Sequence, residues 1–67
     1  MNKFKERIRE LRNEKALGQA QISTILGILR ATYANWEQGR TEPNIDMLII
    51  LANYFNVTVG YLVGVED

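Results

Sequence analysis

Gln19-Ala20-Gln21-Ile22-Ser23-Thr24-Ile25-Leu26-Gly27-Ile28-Leu29-Arg30-Ala31-Thr32-Tyr33-Ala34-Asn35-Trp36-Glu37-Gln38-Gly39 is the stretch that decides the fold. Ile22 and Leu26 are four apart, and Tyr33 and Trp36 are three apart, so each half reads as a short helix with one apolar side. Gly27, Ile28 and Leu29 form the turn between them, and Gly39 closes the second half. Two helices crossing steeply over so short a turn need a small residue at the crossing, which Ser23 supplies. They also need a residue that tolerates positive φ at the end of the first helix, which Gly27 supplies. Ile22, Leu26, Ile28, Tyr33 and Trp36 give the pair a shared apolar underside. The stretch therefore predicts a helix-turn-helix over about residues 19–38.

The flanks read as helices too. Upstream, Phe4, Ile8 and Leu11 fall on one face of a helix over about 3–15, with Asn2 as N-cap and Arg and Glu outside. Downstream, Arg40-Thr41-Glu42-Pro43 is a polar connector. Asn44 caps a helix over 45–55 whose inner face is Leu48, Leu51, Ala52 and Phe55. Thr58 caps a last short helix over 59–63, ended by Gly64. In that last segment Val57, Val59, Tyr61 and Val63 also alternate, so a strand is its local competitor. The expectation is an all-α, compact bundle of five short helices in one domain over residues 1–67.

Composition narrows the function. The chain has no cysteine and no histidine and a single serine, Ser23. This inventory excludes disulfides, thiolate zinc sites and Ser-His or Cys-His hydrolases. Its acidic residues are scattered, so no metal, cofactor or enzyme activity is expected. The longest apolar run, Met47 to Ala52, is far short of the roughly 20 residues that span a bilayer. The N-terminus lacks the apolar stretch of a signal peptide, and the lack of cysteine suits a reducing, cytoplasmic setting. Net charge is zero, but residues 1–42 carry all eight basic residues against five acidic ones, a balance of +3. The remainder carries −3, so a polyanion would dock on the N-terminal two-thirds.

Taken together, Leu17-x-Gln19-x-x-Ile22-Ser23-x-x-Leu26-Gly27-Ile28-x-Arg30-x-Thr32-Tyr33-x-Asn35-Trp36-Glu37-x-Gly39-Arg40-x-Glu42-Pro43 resembles the phage-repressor and Cro-type helix-turn-helix domain. The continuation through Leu48, Leu51-Ala52, Phe55-Asn56-Val57-Thr58-Val59 and Tyr61-Leu62 is similar to it as well, so the likeness covers about residues 4–64. The resemblance implies sequence-specific binding of double-stranded operator DNA by a transcriptional regulator of repressor type, with the helix over 30–38 in the major groove. It implies that Gln19 meets a phosphate through its side chain or amide. Arg30, Ala31, Ala34 and Asn35 would face the groove, Arg30 reaching a guanine edge and Asn35 a base edge or phosphate. Thr32 would touch a phosphate or a thymine methyl, and Gln38, Gly39 and Arg40 would follow the backbone. Arg12 and Glu37 match a buried ion pair, and the segment 57–65, with Tyr61, Leu62 and Val63, matches a homodimer contact. No small-molecule ligand is implied.

The sequence also departs from that pattern. Gly18 and Leu29 stand where a capping Ser or Thr is usual, so Leu29 belongs to the DNA-facing surface without the expected hydroxyl. Ile25 and Ile50 replace polar or basic residues, and Gly60 replaces what is often an acidic one. With Leu29 and Ile49 these positions predict exposed apolar surface. That surface, the zero net charge, and the alanines at 31 and 34 favour a second reading: a protein-interaction module such as an antitoxin or anti-repressor. For Tyr33 and Trp36 the expectation is core rather than base stacking, and for Lys3, Lys5, Arg7 and Arg9 a solvated helix face.

Overall fold

The computed structural model describes residues 2–67. It contains helices α1 (Phe4–Glu14), α2 (Gln19–Leu26), α3 (Arg30–Gln38), α4 (Ile45–Phe55) and α5 (Val59–Val63), and no strand among the described residues. The all-α expectation of five short helices is met, and the C-terminal segment is helical. Thr58 decides that segment. Its hydroxyl accepts the Tyr61 N–H at 2.9 Å, and the helix it starts turns Leu62 fully into the core. Asn44 caps α4 in the same way, accepting from the Met47 N–H at 2.9 Å.

All five helices end alike. The first residue past each helical segment is left-handed or gives way to one, and the next N–H reaches back five residues: Leu17 to Arg12, Ile28 to Ser23, Arg40 to Asn35, Val57 to Ala52, Val65 to Gly60. Gly27 (φ +72°) and Gly39 (φ +76°) make this closure at little cost on either side of α3. After α1 the left-handed residue is Ala16 (φ +56°), a position that costs an L side chain roughly 1 kcal/mol. No glycine marks that end, and α1 stops at Glu14 rather than running on to residue 15. At its other end the Lys3 carbonyl accepts the first helical bond, from the Arg7 N–H, while the Asn2 side chain accepts from Phe4 N–H at 3.0 Å. Asn2 thus caps the helix from one residue before its backbone start.

The core gathers Phe4, Ile8 and Leu11 from α1, Ile22 from α2, Tyr33 and Trp36 from α3, Leu51, Ala52 and Phe55 from α4, and Leu62 from α5. Leu26, Ile28 and Leu48 are half-buried against it. Trp36 sits between Phe4 and Tyr33 in edge-to-face contacts of 6.4 and 5.8 Å, so these aromatics join α1 to α3 and are core as expected.

Arg7 departs from the expected solvated face. Its Nη1 donates to the carbonyls of Tyr61 and Glu66, both at 2.6 Å, and its guanidinium lies 4.1 Å from the Tyr61 ring centroid. The Lys3 N–H donates to the Val63 carbonyl, so α1 and the end of α5 are tied at two points. Glu66 folds back over Gly60 and accepts from the Thr58 hydroxyl at 2.7 Å. A Cβ at position 60 would meet only the Glu66 side chain, which is exposed and free to swing aside. Leu62, a candidate for the dimer contact, is fully buried and belongs to the core instead.

Leu29, the N-cap of α3, makes no side-chain cap bond. Leu29→Ser should therefore stabilise the domain by about 0.5–2 kcal/mol, read as a higher urea midpoint. An unchanged or lower midpoint would show that water already satisfies this helix end.

Candidate nucleic-acid interface

α3 is held from behind and free in front. Tyr33, Trp36 and Glu37 are buried on one side, against α1 and α2. Arg30, Ala31 and Gln38 are exposed, and Ala34, Asn35 and Thr32 are half-buried beside them. At 100° per residue Ala31, Ala34, Asn35 and Gln38 form a ridge opposite the buried side, with Arg30 flanking it. Leu29 projects at the leading end, 75% exposed, and Arg40 is exposed beyond the trailing end. The residues expected at a DNA surface are thus spread over one helix, its two ends and the start of α2.

α2 supports α3 from the side. Ile22 and Ser23 are buried, and the Ser23 hydroxyl donates to the Gln19 carbonyl at 2.6 Å, so the small residue at the crossing keeps its polar group satisfied within the helix. At the start of α2 the Gly18 N–H donates to the Gln21 side chain at 2.7 Å. The Gln19 and Ala20 amides occupy the first turn, where helix N–H groups point outward. The Gln19 side chain turns inward and donates to Glu37 Oε1 at 3.1 Å. That leaves its backbone N–H, among the unpaired amides of the first helical turn, as the outward polar group at this end of α2.

A polar cluster fixes α2 against α3. Arg12 Nε and Nη2 donate to Glu37 Oε2 and Oε1 at 2.7 and 2.9 Å, a two-pronged pair, and Nη1 donates to the Leu17 carbonyl at 2.8 Å. The side chains of Arg12 and Glu37 retain 13% and 5% of their exposure, so the expected buried pair is present. Through it α1 grips α3 and the segment leading into α2 at once. Burial alone pushes the Glu37 carboxyl up, but the Arg12 bonds, the Gln19 bond and the Arg12 charge outweigh it and hold the carboxyl below its ordinary value. Arg12 is raised, first by its bond to Glu37. Burial raises the Tyr33 hydroxyl, and Glu37 adds to the effect. That hydroxyl is buried without a partner at hydrogen-bond distance.

Lys5 is exposed, as expected of a solvated face, but it also reaches across to α3, which the sequence pattern does not indicate. Its aliphatic stem runs along the end of α3, so close that a Cβ on Gly39 would lie 3.1 Å from its Cδ. This brings an exposed ammonium to the turn where Gly39 and Arg40 were expected to follow a DNA backbone. The signal was weak, because Lys5 lies on α1 and only tertiary packing brings it there. The same region holds a groove of about 170 Å³ lined by Asn2, Phe4, Lys5, Trp36, Gly39, Thr41 and Glu42. Small-molecule sites usually exceed about 300 Å³. Exposed apolar residues appear as expected at Ile25, Ile49 and Ile50, and also at Ile45, which is 74% exposed.

A sequence model described as "Helix-turn-helix domain" matches residues 5–67. The chain belongs to this helix-turn-helix family. It is 33% identical over 96% of its length to the HTH-type transcriptional activator BcrR of Enterococcus faecalis, covering 31% of that protein. It is 32% identical over 91% of its length to the cryptic phage CTXphi transcriptional repressor RstR of Vibrio cholerae, covering 55% of it. A crystal structure of a transcriptional regulator from Listeria innocua superposes with a TM-score of 0.88 at 35% identity, over 94% of this chain and 59% of that one. The chain thus spans about half the length, or less, of the curated relatives it matches. The described helices include none long and apolar enough to cross a membrane.

Proposed function

We propose that this helix-turn-helix domain is the sequence-specific, double-stranded-DNA-binding part of a transcriptional regulator, with α3 seated in the major groove. One observation carries the reading: α3 is anchored by three buried residues on one side and presents a ridge of small and polar residues with a flanking arginine on the other. Small side chains at Ala31 and Ala34 let the helix backbone approach the base edges closely, while Arg30 and Asn35 supply the hydrogen-bonding heads. Gln19, through its amide, with Thr32, Gln38 and Arg40 would contact phosphates. Lys5 joins that set by its position over Gly39. Two copies, meeting through the segment 57–65, would place their α3 helices in successive major grooves about 34 Å apart.

Selection of bound duplexes from a random pool tests this. A recovered palindromic motif supports both function and symmetry, and recovery of nothing overturns the reading. On the recovered site, Arg30→Ala should relax preference at one base pair per half-site and cost about 1–3 kcal/mol. Equal weakening on all sequences would make Arg30 a phosphate contact instead.

The exposed isoleucines at 25, 45, 49 and 50 favour a second reading, a module that grips another protein. The two readings differ in salt dependence.

A further inference from the structure

Resting on the DNA-binding reading, we propose that Leu29 is a specificity-determining residue that reads the 5-methyl group of a thymine in each half-site. Leu29 lies at the tip of α3, in extended conformation (φ −70°, ψ 144°), and 75% of its surface is exposed. Its neighbours bracket the change from core to surface. Ile28 before it is packed against the core, and Arg30 after it opens the exposed side of α3. Its carbonyl accepts the Tyr33 N–H at 3.2 Å, which ties its backbone to the start of the helix. Its side chain has no bond to make at this cap position, where a hydroxyl would have satisfied a helix N–H.

A leucine carried into the major groove at the leading end of a recognition helix meets a surface made almost wholly of hydrogen-bond donors and acceptors. Covering those without replacing their water is unfavourable. The thymine methyl is the one apolar feature of that surface. Leu29 therefore favours thymine and disfavours the other bases, by burying one methyl in one case and stranding polar edges in the others. The exposed apolar tip, continuous with the polar ridge of α3, makes the groove floor its occupant rather than a distant protein surface.

Deoxyuridine, which lacks only that methyl, is the probe. Each thymine of the selected site is replaced singly by deoxyuridine, and affinity is measured for the unaltered chain, Leu29→Ala and Leu29→Ser. At one thymine per half-site the replacement should weaken the unaltered chain about fourfold, the worth of one buried methyl. Leu29→Ala and Leu29→Ser should bind the thymine and uracil duplexes equally. Leu29→Ser should do so while its melting midpoint rises, which a merely structural role for Leu29 would not produce. The proposal is overturned if no thymine is sensitive, or if its replacement weakens Leu29→Ala as much as the unaltered chain. In either case the duplex still binds, and the DNA reading survives. Failure to bind any duplex removes both.

Discussion

Glu37→Ala should lower the unfolding free energy by about 3–5 kcal/mol, because it strands the Arg12 guanidinium in a nearly closed site. A domain of this length has roughly 3–10 kcal/mol to lose in all, so the variant should be largely or wholly unfolded at modest urea. The magnitude follows from what remains rather than from what the pair contributes. With the carboxylate gone, three guanidinium nitrogens keep one partner between them, the Leu17 carbonyl, and Gln19 loses its acceptor as well. Replacing both partners by apolar residues, Arg12→Met with Glu37→Leu, should recover most of the loss, since no charge is then left buried. A urea midpoint unchanged in Glu37→Ala would show that the pair is open to water.

The same cluster sets a pH dependence. The folded chain holds the Glu37 carboxyl below the value of about 4.5 expected when unfolded. The native state therefore binds the proton less readily, and the stability from Glu37 is complete above that value and disappears as pH falls through the lower, folded one. Tyr33 has the opposite sign. It is raised above 10, so its contribution is complete below pH 10 and is lost as pH rises beyond it. Melting midpoints measured from pH 7 to pH 2 should fall less steeply in Glu37→Gln, whose amide does not titrate.

Helix boundaries were legible wherever the chain marks them locally. Gly27, Gly39 and Gly64 close helices, Asn44 and Thr58 open them, and α2 to α5 fall where these residues put them. The end of α1 was not legible, because Ala16 makes a left-handed closure that its side chain does not advertise. The outward face of α3 followed from periodicity, since Tyr33 and Trp36 fix which side is inside. The roles of Arg7, Lys5 and the Gln19 side chain did not follow. Each is polar, sits on a helix, and takes its partner from elsewhere in the chain: the Tyr61 and Glu66 carbonyls, the turn at Gly39, and Glu37. Local pattern places a charged residue on the outside of a helix, but it does not say what else packs there. Arg12 with Glu37 was anticipated only through the family likeness, for the same reason.

Affinity for the selected duplex should fall about a thousandfold between 50 and 200 mM salt. Each phosphate neutralised by a cation contributes about −0.9 to the slope of log affinity against log salt, or roughly 3.5-fold over this range. Arg40 and Lys5 at the phosphates, and Arg30 in the groove between them, are the exposed cations set at α3 and its ends, and two copies would bring about six counterion-displacing charges to the duplex. The zero net charge does not cancel this, because counterions are released where the cations touch phosphate and the acidic excess lies in residues 43–67. Within the connector Glu42 is already engaged, accepting from the Asn2 side chain at 2.7 Å. Lys5→Ala and Arg40→Ala should each flatten the slope by about one per copy with little change in base preference, whereas Arg30→Ala should change both. A slope near zero would be decisive in the other direction. Burial of Ile45, Ile49 and Ile50 against a protein partner releases water rather than counterions, and such a complex would hold or tighten as salt rises.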